Sequence, residues 1–206
     1  MMLLTDFYAL IGIDLAACAV FLRATRVFTP EPVHPKASGW VMWIFAICLV
    51  GLWLPLGGAG LSLLAFARGI SSDLSVTSVA LAGLYIAQRM GAPPVQDREK
   101  KVVYTALALT AVLLYPTALG LGDWDAYRLG WEGIGLVVGL SLLILVCFLK
   151  GLRLLPLLVA AALIAWSFGL LESGNLWDYL IDPWIACVSI GVEIRRKISS
   201  FLRPIM

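Results

Sequence analysis

Apolar residues run along this chain in blocks rather than in alternation. Seven predominantly apolar stretches stand out as candidate spans: Leu3–Leu22, Trp40–Leu56, Leu74–Gln88, Val102–Leu119, Gly133–Leu149, Leu154–Leu171 and Leu176–Ile194. Blocks of this length, rich in Leu, Ala and Gly, predict helices, whereas a transmembrane barrel would show alternating segments of about ten residues. The hydrocarbon core of a bilayer is about 30 Å thick, and a helix rises about 1.5 Å per residue, so about 20 apolar residues cross it. The expected fold is therefore all-α: a polytopic integral membrane helical bundle of about seven transmembrane helices (six as the alternative), forming one transmembrane domain over residues 1–206.

Some stretches are less regular. Leu74–Gln88 is short and carries Ser75, Thr77 and Ser78, with Ser72 or Asp73 as its expected N-cap. In the last stretch Asp182–Pro183 reads as a cap followed by proline at the first helical position. A helix from Pro183 to about Leu202 is thus the alternative to one over Leu176–Ile194. Gly57–Asp73 is too apolar for a free loop; it is expected as a kinked extension of the second span, with a re-entrant or surface-lying segment as the alternative. Leu15-Ala16-Ala17-Cys18 has the form of a lipoprotein cleavage box. No basic region precedes it, however, and Asp6 and Asp14 interrupt the stretch, so it is read as a spanning helix.

Composition agrees with the pattern. The chain is 61% hydrophobic and 14% charged, with a mean hydropathy of +0.95; soluble domains average about 25% charged residues. So high an apolar content excludes disorder. A net charge of +2 supplies no basic surface for nucleic acid, and no nucleic-acid partner is expected.

The placement of charge predicts orientation. With the N-terminus outside, alternate connections hold Arg23, Arg26 and Lys36; Arg89, Arg98, Lys100 and Lys101; Lys150 and Arg153; and Arg195, Arg196, Lys197 and Arg203. Only Arg68 and Arg128 of the 15 Lys and Arg fall elsewhere. Cytoplasmic loops gather Lys and Arg, so the N-terminus is expected outside and the C-terminus inside. Residues 195–206 form a basic amphipathic tail that should lie against anionic headgroups.

Candidate chemistry is sparse. Asp14 sits near the middle of the first span, where an ionised carboxylate costs at least about 2.5 kcal/mol. It is read either as an intramembrane proton or cation group or as a carboxylate joining helices, for example through Ser75, Thr77, Ser78 or Gln88. Two connections on the predicted external side are dense in acids and aromatics. The first contains Asp123, Trp124, Asp125, Tyr127, Arg128 and Trp131; the second contains Asn175, Trp177, Asp178, Tyr179 and Asp182. Together, with Arg68 as a possible second anion contact, they would form one rim. As a binding surface, its aromatic faces would accept sugar rings or acyl chains and Arg128 would fork onto phosphate or carboxylate; as structure alone, Trp and Tyr anchor at the interface, Asp178 or Asp182 caps a helix and Asn175 satisfies backbone groups.

Enzyme signatures are missing. His34 is the single histidine, which precludes bis-His haem ligation and an HExxH zinc site. Cys18, Cys48, Cys147 and Cys187 lie in separate stretches without CxxC spacing and read as small buried hydrophobes. Gly57-Gly58-Ala59-Gly60 is not followed by the Lys-Ser/Thr of a phosphate loop. No metal or cofactor is expected, and no nucleophile-and-base pair is identifiable. Gly135 and Gly139 share one helix face and are expected in a close internal helix contact. The leading expectation is a membrane-embedded accessory or binding protein of a bacterial cytoplasmic membrane. Its external rim would meet a lipid-linked substrate or an envelope partner protein. The alternatives are a small proton-coupled transporter using Asp14 and a membrane enzyme using the external carboxylates.

Overall fold

The computed structural model describes residues 4–28, 43, 46–47, 49–56, 61–71 and 73–202. The expectations for His34, Lys36, Cys48, Gly57–Gly60 and Arg203, and part of that for Trp40–Leu56, fall outside the described residues. Regular structure is helical apart from one short antiparallel pairing of Pro55–Leu56 (β1) with Leu61–Ser62 (β2). The longer helices are α1 (Leu4–Phe28), α2 (Leu63–Ser71), α3 (Val76–Arg89) and α4 (Asp97–Ala118). After a 3-10 turn at Ala126–Arg128 come α5 (Leu129–Glu132), α6 (Ile134–Leu149), α7 (Leu154–Ser167), α8 (Leu176–Leu180) and α9 (Pro183–Leu202).

The all-α expectation holds. Two helices are long and apolar enough to cross a membrane, Leu4–Ala24 and Asp97–Ala118. The apolar α6 and α7 have 16 and 14 residues, or about 24 and 21 Å at about 1.5 Å per residue. By length and composition the described residues hold two candidate spans; the count of seven comes from the apolar stretches together with the placement of charge.

The chain divides into two compact units. The first comprises Met1–Leu74, Ser78–Pro94 and Gly169–Glu172. Helix α1 supplies one stripe to it: Leu10 and Ile13 pack with Leu64, Leu74, Trp53 and Val79, and one turn on Cys18 and Leu22 pack with Ile86 and Tyr85. Those spacings of three and four residues put the side chains on one face. Gly12 lies within the first cluster, between Leu10 and Ile13, and a Cβ there would come within 2.9 Å of Val79. The small residues around Asp14 thus permit close packing.

The second unit comprises Ser75–Thr77, Val95–Phe168 and Ser173–Met206. Its most extensive pairing joins α4 to α9. Helix α4 buries Val103, Leu107, Ala108, Ala111 and Leu114, and α9 buries Ile185, Ala186 and Ser189. Small residues on both let the backbones approach. Glu99 fastens α7 to the start of α4, its two oxygens accepting from Arg153 N–H at 2.8 Å and Leu154 N–H at 3.0 Å. These are amides that a helix N-terminus leaves without an internal partner. At the other end of α4, Gly120 adopts φ +84° and Leu121 N–H reaches back to Pro116 O at 2.9 Å, a closure that needs the left-handed conformation.

Several expectations are corrected. Leu176–Ile194 is not one helix: α8 stops at Leu180, and α9 starts at Pro183 behind the extended Ile181. Asp182 Oδ1 accepts from Ile185 N–H at 2.9 Å, so the alternative start is the observed one. The apolar segment before the third stretch is neither loop nor helical extension, because the β1–β2 pairing separates α2 from what precedes it. Gly135 and Gly139 have nothing within 4 Å of where a Cβ would stand, so among the described residues they make no close helix contact. Cys187 is exposed, whereas Cys18 and Cys147 are buried.

Candidate functional site

The two acidic–aromatic connections meet within the second unit. Asp125 begins the 3-10 turn by accepting from Tyr127 N–H at 2.9 Å, and Asn175 begins α8 by accepting from Trp177 N–H at 2.9 Å. Both are short polar side chains placed where a helical turn leaves amides free. The two turns are then stitched together. Asn175 Nδ2 donates to Tyr127 O, and Trp177 Nε1 donates to Ala126 O, each at 3.0 Å. Thr117 Oγ1 accepts from Ala126 N–H at 3.3 Å and so links the end of α4 to the same turn. Gly130 makes this join possible: a Cβ there would overlap the Asn175 side chain.

Tyr127 and Asp178 form the polar centre of the join. The phenol donates between both carboxylate oxygens, 2.9 Å from Oδ1 and 2.8 Å from Oδ2. Burial, reinforced by this hydrogen bond to an anion, pushes the Tyr127 phenol up to about 12. The Tyr127 phenol therefore keeps its proton, donated to Asp178, at neutral pH.

The rim residues divide into two groups. Tyr179 is wholly buried and donates to Ser173 O at 3.2 Å. Asp182 is also buried; besides capping α9, its Oδ2 accepts from Ser75 N–H at 2.9 Å and Ser75 Oγ at 2.7 Å. These two, with Asn175, hold the rim together from within. Asp123, Trp124, Asp125, Arg128 and Trp131 face outward, the two tryptophans about 60% exposed (61% and 60%). Beside them lies a cleft of about 380 Å³ walled by Trp131 and Trp166 and floored by Gly133, Ile134, Val137 and Val138. Trp166 is fixed there by donating Nε1–H to Gly174 O at 2.9 Å.

Arg68 belongs to the first unit, at the end of α2. Its guanidinium pairs with Asp6 at 2.5 Å, Glu172 at 2.6 Å and Asp73 at 3.5 Å. The hydrogen bond to Asp6 raises its pKa, and the charges of Asp73 and Glu172 add to this against the opposing cost of burial. Asp73 is therefore an ion-pair partner that also accepts from Glu172 N–H at 3.4 Å, and α3 begins later, at Val76.

Asp14 is buried at 1% exposure in α1. It accepts from Trp53 Nε1 at 2.9 Å and from the Cys18 thiol at 3.7 Å. Trp53 was not among its expected partners, since nothing in a spacing of 39 residues marks the pair. Trp166 was missed for the same reason. The Arg68 cluster, by contrast, had a visible signal: its three acids and the stray arginine lie on one predicted side. Among the described residues no three His, Cys, Asp or Glu side chains converge as a metal site.

No known protein-family model matches the chain, and no curated protein or solved structure is significantly similar to it.

Proposed function

We propose that this protein is a multi-pass protein of a bacterial cytoplasmic membrane that binds a lipid-linked substrate at an external rim. The observation that carries this reading is the apolar cleft between Trp131 and Trp166, whose Trp131 wall belongs to the same connection as the exposed Asp123, Trp124 and Arg128. A lipid chain would lie along Ile134, Val137 and Val138, and its polar head would meet the carboxylate, aromatic and guanidinium groups above. Tryptophans prefer that boundary between hydrocarbon and water.

Two further features support a membrane setting. Helix α6 carries Ile134, Val138, Leu142, Leu145, Phe148 and Leu149 exposed, a surface suited to lipid rather than water. The Lys and Arg sidedness favours about seven crossings with the N-terminus out and the C-terminus in. Helices as short as α6 and α7 would then span by local bilayer thinning, at fractions of a kcal/mol per Å.

The test fills the cleft. Val138→Trp and Trp131→Ala variants, purified in mild detergent, are compared with the parent for co-purified lipid by mass spectrometry. Val138→Trp should lose a retained lipid, while its thermal unfolding stays near the parent's. An unchanged lipid complement in both variants would refute binding at the cleft.

A further inference from the structure

A second site lies at the other end of the α4–α9 pair. A cleft of about 680 Å³ opens between the first turns of α4 and the last turns of α9, lined by Lys101, Arg195, Arg196, Lys197, Ser199 and the single acid Glu193. The acid is already engaged. Glu193 Oε1 accepts from Thr105 Oγ1 at 2.9 Å and pairs with Arg196 at 2.6 Å. Arg196 is held a second time, its guanidinium carbon 6.0 Å from the centroid of the Tyr104 ring. No described carboxylate pairs with Lys101, Arg195 or Lys197. The cleft thus carries surplus positive charge on two walls around a fixed guanidinium, with the exposed Ser199 hydroxyl as a neutral donor. The Ser200 hydroxyl, also in the lining, is turned onto Lys197 O at 2.8 Å.

The opposite face of the same helical segment is apolar. Ile194, Ile198, Phe201 and Leu202 follow at intervals of four, three and one residues and are all exposed, Phe201 at 75%. Such a stripe settles at the level where acyl chains meet headgroups, which holds the cleft in the phosphate layer. Clustered cations next to a span attract anionic lipids, and a guanidinium with flanking ammonium groups suits phosphate.

We propose that the α4–α9 cleft is a phosphate-binding site, filled by the phosphodiester of an anionic phospholipid or by the phosphate of a soluble ester. The lipid source rests on the membrane reading above; the site itself does not.

The two sources are separated with the full chain in neutral detergent micelles. Thermal unfolding is followed during titration with phosphatidylglycerol, with phosphatidylcholine, and with glycerol 3-phosphate. A Lys101→Gln/Lys197→Gln variant removes one cation from each wall, and Lys100→Gln/Lys150→Gln removes equal charge outside the cleft. Phosphatidylglycerol should raise the unfolding temperature where phosphatidylcholine does not. The cleft variant should need about tenfold more ligand for half the effect, and the control variant should match the parent. The same pattern with glycerol 3-phosphate alone supports the site and assigns the phosphate to a soluble ester. No response to either phosphate, or equal weakening in both variants, overturns the proposal.

Discussion

Single residues decide whether the rim holds. A methyl group at Gly130 has no room beside Asn175, so Gly130→Ala should cost about 1–3 kcal/mol through forced displacement, read as a lower unfolding temperature in detergent. Tyr127 makes a prediction in pH. Its folded pKa, about 12, lies above the ordinary 10.0, so the proton is held more tightly in the folded state. Its contribution to stability is complete below pH 10 and fades as pH rises through about 12. An ultraviolet difference titration of the parent against Tyr127→Phe should place the missing phenol near that value; ionisation near 10 would show the link to Asp178 to be broken. Asp182 was legible as a helix cap because capping is local; Asp125 and Asn175, read as rim residues, prove to cap their turns as well. Tyr179 was not legible as buried, because whether a tyrosine beside polar neighbours points inward depends on a core assembled from distant segments.

At the scale of elements, Asp182 does two jobs with one carboxylate, capping α9 and receiving both donors of Ser75. Asp182→Ala should destabilise the protein by about 1–3 kcal/mol, and Asp182→Asn by less, since one amide oxygen can still cap; chemical denaturation of both variants checks the order. Trp53→Phe removes the indole donor to the buried Asp14. It should cost a similar amount, and Asp14→Asn less, because an amide oxygen can still accept. Hydrophobic blocks predicted α1, α4, α6 and α7 closely, since a long apolar run has few other solutions. They failed at Leu176–Ile194, where a short apolar turn and a capped helix share one run of residues. The boundary lay in Asp182–Pro183, a local signal weaker than the hydropathy around it.

For the whole molecule the decisive property is sidedness. With native cysteines replaced, cysteines introduced at positions 125 and 178 should label together from outside intact cells, and one at position 200 only after permeabilisation. Labelling of 125 and 178 from opposite sides would remove the shared rim. The meeting of the two connections could be anticipated from charge and aromatic content, but not the pairings that make it. The cleft at Trp166 was invisible for a related reason: one of its walls is the end of a helix whose sequence reads only as apolar.

Glu99 has a consequence for how the chain is assembled. Its carboxylate meets the first amides of α7 across more than fifty intervening positions, so it acts as an index mark for the whole α6–α7 hairpin. If that hairpin slid by even one residue, an anion and two unsatisfied donors would be stranded together. Docking is therefore close to all-or-none: the hairpin either seats in this alignment or stays apart, with few half-inserted arrangements stable enough to persist.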